Sequence, residues 1–145
     1  MYERVLVPTD GSEMMEGVID HAVELAAVHG ATIHALYVAN TSSLGDLPAD
    51  AGWENVTEAL RREGKRAIAV VRDRAYERDV PAERAVREGS PATEITGYAS
   101  EENCDIVVMG THGRSGVGRL LLGSVTEKVV RSAEIPVLTI RVTGE

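Results

Sequence analysis

The chain has 145 residues, which suits a single domain over residues 1–145 with one substantial core. Its net charge of −8 argues against a nucleic-acid partner, because neutralising phosphates requires a clustered basic surface. Cys104 is the only cysteine, which excludes an internal disulfide framework and favours a reducing, cytoplasmic location. We expect neither a signal peptide nor a membrane partner, since no apolar run approaches the length of a membrane span.

The basic residues are 13 arginines and only two lysines. An acidic, lysine-poor surface is typical of proteins that work in concentrated salt, and an ordinary acidic cytosolic protein is the alternative.

Strand and helix patterns alternate along the whole chain. The predicted elements are a strand at Arg4–Pro8, a helix ending at Gly30, a strand at 31–38, a long helix with an apolar face from Val56 to Ala75, a strand at Ala82–Gly89, a helix with Ser90 as N-cap and Pro91 at its first position, a strand at 105–110, a helix from Ser124, and a strand at 135–142. Between the second strand and the long helix, residues 40–52 are predicted to form a surface loop. This alternation predicts an α/β fold with helices on both faces of a parallel sheet. Right-handed crossovers favour a doubly wound, Rossmann-like sheet of five strands in the order 3-2-1-4-5.

Two unusual segments directly follow strands of this predicted sheet. One is "PTDGS" after the first strand, and the other is the glycine-rich stretch after the fourth. In open α/β sheets, ligands bind beyond the carboxyl ends of the strands, where the strand order reverses. The first and fourth strands flank that point, so we expect both segments to face one crevice.

The glycine-rich stretch has the composition of an anion-binding loop. Its glycines lie at 110, 113, 116, 118 and 123. Glycine accepts positive φ, which lets successive amides point inward, and the helix that follows presents unpaired amides. Polyphosphate is the anion that best uses both features, with Arg114 and Arg119 available to add charge.

The sequence does not match three common binding motifs: the Walker loop, the dinucleotide fingerprint and a histidine metal site. A Walker loop needs a Gly-Lys pair that is missing here, and Leu121 occupies a position where the dinucleotide fingerprint requires glycine. The four histidines do not have the spacing of metal ligands.

At these residues the sequence resembles the universal stress protein family, whose nucleotide-binding branch carries G-x2-G-x9-G-[ST]. Gly110, Gly113, Gly123 and Ser124 match that motif in full. The likeness extends over almost the whole chain, including "VLVPTDGS", "IHALYV" and "LLGSVTEKVVRSAEIPVLTI".

The resemblance implies that the crevice binds ATP, with Mg²⁺ or Mn²⁺ held through the phosphates and no protein metal site. It assigns Thr9 and Asp10 to the region of the ribose and adenine, with Pro8 also in the site, and Val38 to adenine through its backbone. Met109 and Gly110 would line the floor under the sugar. It assigns His112, Gly113 and Arg114 to the start of the phosphate loop, and Gly123, Ser124, Val125 and Thr126 to its closure on the phosphates.

The resemblance also implies a homodimer joined through the last strand, from Val137 to Val142. An exposed apolar edge strand is usually paired or covered, which favours the same surface. The family's role would be a stress-response regulatory one, with an unidentified downstream protein partner.

Other interpretations of the same residues remain. Ser124-x-x-Glu127 and Asp10-x-x-Glu13 both fit a helix-capping box, which would account for Ser124 and Asp10 without a ligand. A non-binding dimerisation module and an enzyme of the adenine-nucleotide α-hydrolase group are the alternative functions. Since no general base is clearly placed, at most slow ATP hydrolysis is expected.

Four further side chains have interpretations that do not depend on a ligand. We expect His34 to be packed in the core or in an interface, and Cys104, placed at the start of the fourth strand, to be an inert buried thiol. Trp53 either anchors the long helix or folds over the nucleotide, and His112 either donates to phosphate or is solvated.

Overall fold

The computed structural model describes residues 1–41, 52–111 and 123–142, and of Trp53 its backbone alone. Its elements in chain order are β1 (Arg4–Pro8), α1 (Met15–His29), β2 (Thr32–Asn40), α2 (Trp53–Glu77), β3 (Ala82–Gly89), α3 (Pro91–Glu101), β4 (Ile106–Gly110), α4 (Ser124–Ser132) and β5 (Val137–Ile140). All strand pairs are parallel, and the sheet order is β3-β2-β1-β4-β5. The predicted fold class and strand order are therefore confirmed.

Both faces of the sheet are covered by helices. On one face, Val5 and Val7 pack in a core with α1 and α2. On the other face, Leu6 packs in a core with α3 and Val129 of α4. Strands buried on both faces are apolar, which is why β4 and the buried part of β1, from Val5 to Pro8, are continuous apolar runs. Across the described parts of the chain, no helix combines the length and apolar character needed to cross a membrane.

The last strand is shorter than the predicted 135–142. β5 pairs with β4 from Val107–Val137 to Gly110–Ile140, so its length is set by the end of β4. Beyond that point, the Val142 amide donates to the side chain of Thr111, at 3.1 Å, instead of continuing the ladder. The predicted start of the fourth strand is also wrong, because β4 begins at Ile106 and Cys104 lies before it.

Two helix ends agree with the sequence. Gly30 follows α1 in the left-handed conformation at φ +66°, which glycine adopts without steric cost. Ser90 is the N-cap residue of α3, and Pro91 is its first residue.

Both predicted capping boxes are wrong. α1 begins at Met15, and Asp10 lies in the preceding loop, where its Oδ1 accepts the Ser12 amide at 2.9 Å. The N-cap of α4 is Gly123, so Ser124 is the first residue inside that helix.

Candidate functional site

The crevice between β1 and β4 opens toward the carboxyl ends of the strands. The β1–β4 ladder joins Val5 to Ile106 and Leu6 to Val107. Farther along, β1 stays with β2, since the Thr9 amide donates to the Leu36 carbonyl at 2.9 Å. β4 instead stays with β5, through Gly110 and Ile140. The two halves of the sheet therefore separate at the position where ligands bind in doubly wound folds.

The opposite end of the same strand pair is closed. The Asp105 carboxylate accepts the Glu3 amide at 2.9 Å and the Arg4 amide at 3.1 Å. These hydrogen bonds join the start of β1 to the start of β4. The two strands therefore separate only toward their carboxyl ends. Among the described residues, the β1–β4 ladder ends on the side that the sequence predicted as the ligand side.

The loop after β1 is held by its own side chains. Thr9 is buried, and its Oγ1 accepts the Gly11 amide at 3.1 Å. Asp10 makes the next such turn through Ser12, and Gly11 has φ +79°, which favours glycine. Thr9 and Asp10 are thereby fixed at the rim of the crevice.

Two hydrogen bonds hold the start of α4 against the end of β4. The Gly123 amide donates to the Thr111 carbonyl at 2.5 Å. The Thr126 hydroxyl donates to the Gly110 carbonyl at 2.9 Å, and Thr126 is only 4% exposed. The start of α4 is therefore held against Gly110 and Thr111.

The structure changes the reason for the glycine at 123. We expected the loop glycines to supply positive φ, but Gly123 has φ −64° and ψ 157°, which any residue can adopt. Its amide donates to Thr111, so that amide is engaged within the protein. The amides available to an anion are the next ones along the helix.

Those amides form the beginning of α4. The Glu127 amide donates to the Gly123 carbonyl at 2.9 Å and closes the first helical turn. The amides of Ser124, Val125 and Thr126 precede it and have no acceptor within the helix. Amides in this position, together with the positive end of a helix dipole, are the features that bind anions at helix N-termini in general.

Thr111 is a residue that the sequence analysis missed. Its amide donates to the Ile140 carbonyl at 2.9 Å, its hydroxyl accepts the Val142 amide, and its carbonyl accepts the Gly123 amide. One residue thus connects β4, the exit of β5 and the start of α4. Its position directly after a buried strand was the one feature in the sequence that could have indicated a role. Its hydrogen-bond partners could not be predicted, because they are distant in sequence.

The structure brings most of the predicted site residues to one edge of the sheet. Those at strand ends or just beyond them are Pro8, Thr9, Asp10, Val38, Met109 and Gly110, and those at the start of α4 are Gly123, Ser124, Val125 and Thr126. His112, Gly113 and Arg114 lie outside the described residues, as do Gly116, Gly118 and Arg119. Contact of any of these residues with a ligand stays a prediction.

Three titratable groups with a shifted pKa, His34, Tyr98 and Cys104, lie in the core. His34 is 5% exposed, as predicted, and its Nδ1 is 2.8 Å from the Tyr98 hydroxyl. Burial lowers the pKa of His34 and raises the pKa of Tyr98 to about 12. Burial also raises the pKa of the Cys104 thiol to about 12, which agrees with an inert thiol.

Comparison with known proteins identifies the family. The model of the universal stress protein family matches residues 1–141. Universal stress protein MJ0531 of Methanocaldococcus jannaschii is 38% identical over 97% of this chain and 83% of its own length. The solved structure of MJ0577 superposes with a TM-score of 0.88 at 26% identity, covering 100% of this chain and 99% of that one. A universal stress protein solved in complex with cAMP gives a TM-score of 0.73 at 27% identity, covering 96% of this chain and 97% of that one. The chain belongs to the universal stress protein family.

Proposed function

We propose that this protein binds ATP in the crevice between β1 and β4 and acts as a nucleotide-dependent regulator in a stress response. The observation that carries the proposal is the position of α4. The amides of Ser124 to Thr126, which have no acceptor within the helix, lie beside the end of β4, at the opening between the two halves of the sheet. A helix N-terminus in that position favours the phosphates of a nucleotide.

The base and sugar would occupy the other side of the opening. Thr9 and Asp10 form its β1 rim, and Val38 lies beyond the level of Pro8 on β2, since Leu36 is the residue paired with Pro8. The structural relative in complex with cAMP supports an adenine nucleotide as the class of ligand. His112, Gly113 and Arg114, which the family motif assigns to the phosphate loop, would complete the proposed site.

A divalent cation fits this proposal through oxygen ligands. Mg²⁺ and Mn²⁺ prefer carboxylate, hydroxyl and phosphate oxygens, and the described residues near the opening that carry such oxygens include Asp10 and Ser124. The cation would neutralise phosphate charge. The chain's own residues would orient the nucleotide, and the phosphates would supply most of the cation's ligands.

Slow turnover is part of the proposal. Asp10 is the carboxylate at the β1 rim, and one of its oxygens accepts the Ser12 amide. A carboxylate that orders its own loop is a weak candidate for a general base, which must reach the proton of the attacking water. The site supplies positioning and few fixed cations, so we expect binding to be tight relative to hydrolysis.

We also propose a homodimer through the last strand, Val137 to Val142. β5 is an edge of the sheet, and Leu138 on it is 38% exposed. Pairing with a second copy would supply hydrogen-bond partners for the backbone groups of this edge strand and would cover the Leu138 side chain. A cytoplasmic location and adaptation to concentrated salt remain predictions from the sequence.

Acid extraction of the purified protein, followed by titration with ATP and with cAMP, tests the proposed ligand. We expect adenine nucleotide to be released or ATP to bind, with ADP forming only over hours. Fast turnover with an acceptor would favour the α-hydrolase alternative, and a protein that binds neither nucleotide would favour the dimerisation module. Tighter binding of cAMP than of ATP would replace the proposed triphosphate with a cyclic nucleotide.

A substitution at Gly123 tests the location of the site. The backbone angles of Gly123 accept valine, so Gly123→Val should fold and lose ATP binding by crowding the start of α4. Gly97→Ala in α3 is the control, because its new methyl group meets only Glu101 Oε2, at 3.9 Å. Unchanged ATP affinity in Gly123→Val would place the nucleotide elsewhere.

A further inference from the structure

The hydroxyl of Thr126 faces the protein rather than the crevice. Thr126 is the third residue of α4 and is 4% exposed. Its Oγ1 donates to the Gly110 carbonyl at 2.9 Å in a buried hydrogen bond. The side chain therefore contacts the end of β4, while the amide of the same residue belongs to the unpaired set at the start of the helix.

This hydrogen bond works together with the one beside it. Gly123 and Thr126 are three residues apart, so they span nearly one helical turn, and their partners, Thr111 and Gly110, are consecutive. One hydrogen bond would leave the helix able to pivot about the contact. Two hydrogen bonds fix both the position and the direction of the first turn.

The direction of that turn controls how well its amides meet an anion. Hydrogen bonds weaken steeply when the donor angle departs from linear, and three amides on one rigid turn move together. A small rotation of α4 would therefore misalign all three amides at once. The interaction with adenine and ribose, on the β1 and β2 side of the opening, would be unaffected.

We propose that Thr126 is a positioning residue for phosphate binding, acting through its hydrogen bond to Gly110 and without side-chain contact to the ligand. The inference rests on the proposed nucleotide site. Its consequence is specific: loss of the Thr126 hydroxyl should weaken the contribution of the phosphates and leave the contribution of the nucleoside intact.

The test compares the affinities of adenosine, AMP, ADP and ATP for wild-type protein and for variants of the full chain, measured by calorimetry. Thr126→Val keeps the shape of the side chain and removes the hydrogen bond, and Thr126→Ala covers the case in which valine prevents folding. Thr126→Ser keeps the hydroxyl. Thr96→Val is the control, since Thr96 also donates to a helical carbonyl, that of Ala92 at 3.1 Å, in α3, where it lines a cavity with Ser132 at the C-terminal end of α4 and not with the first turn.

We expect Thr126→Val to bind ATP about tenfold more weakly, the effect of losing roughly one hydrogen bond, while adenosine affinity stays within about twofold. Thr126→Ser should restore most of the ATP affinity, and Thr96→Val should leave both affinities unchanged. A merely structural role for Thr126 would lower the affinities of adenosine and ATP together, which would overturn the inference.

Other outcomes separate the inference from the proposed function. If wild-type protein binds ATP more tightly than adenosine and Thr126→Val retains that difference, only the inference fails. If Thr126→Ser does not restore what Thr126→Val loses, the hydrogen bond to Gly110 is not the cause and the inference also fails. If wild-type protein binds no ATP, the proposed function fails and the inference falls with it.

Discussion

Gly64 in α2 has no room for a larger side chain, and we predict that Gly64→Ala destabilises the protein. An added Cβ would lie 2.5 Å from Cδ2 and 3.0 Å from Cγ of Tyr37. These atoms belong to the base of a ring that is 5% exposed, and the Tyr37 hydroxyl donates to Glu63 at 3.1 Å. The ring is therefore held at both ends and cannot swing away.

The magnitude follows from two opposing effects. Forcing one extra carbon into a packed core typically costs about 1–3 kcal/mol. Replacing glycine by alanine inside a helix stabilises by roughly 0.5–1 kcal/mol. The 2.5 Å approach is closer than a real Cβ tolerates, so we expect the steric effect to exceed the helix-propensity effect and Gly64→Ala to lower the free energy of unfolding by up to about 2.5 kcal/mol.

Gly97→Ala in α3 isolates the helix-propensity effect. Its added Cβ meets only Glu101 Oε2, at 3.9 Å, which is an ordinary contact. We expect this variant to be stabilised by about 0.5–1 kcal/mol in urea unfolding monitored by circular dichroism. Stabilisation of both variants by the same amount would refute the packing that we describe between Tyr37 and α2.

Three further predictions concern a buried histidine, the cysteine and the edge strand. Burial lowers the pKa of His34 in the folded protein. The stability that neutral His34 contributes is therefore complete above the unfolded pKa of about 6.5, and it is lost as the pH falls through the lower folded pKa. His34→Gln should therefore flatten the fall in unfolding free energy below about pH 6.5, by up to about 1.4 kcal/mol per pH unit; equal slopes in both proteins would contradict this. With its pKa near 12, the Cys104 thiol should react with a disulfide reagent at pH 8 only after unfolding, and complete labelling of the native protein within seconds would contradict its burial. Leu138→Lys should shift a dimer toward monomer in sedimentation velocity, and an unchanged dimer would place the interface away from β5.

The fold was predictable because its signals are repeated along the chain. The strands are short apolar runs separated by helical patterns, and each crossover in a parallel sheet is constrained to one hand. Gly30 and the Ser90–Pro91 pair marked helix ends correctly because their local conformational preferences agree with the tertiary structure.

The capping boxes failed because a four-residue pattern does not say where a helix starts. "SVTE" fits a helix whose N-cap is Ser124. In the structure the Gly123 amide donates to the Thr111 carbonyl, Gly123 is the N-cap, and the helix therefore begins one residue earlier than the pattern predicts. Thr111 was missed for a related reason. Its bonds to Val142 and Gly123 join segments that only the folded sheet brings together.

The central claim is that amides at the start of α4 hold the phosphates of ATP, and amide chemical shifts of the full chain test it most directly. In ¹H–¹⁵N spectra, addition of ATP with Mg²⁺ should shift the resonances of Ser124, Val125 and Thr126. The resonance of Thr93 in α3 should stay in place. Saturating ATP that leaves all three α4 resonances unmoved would contradict the claim.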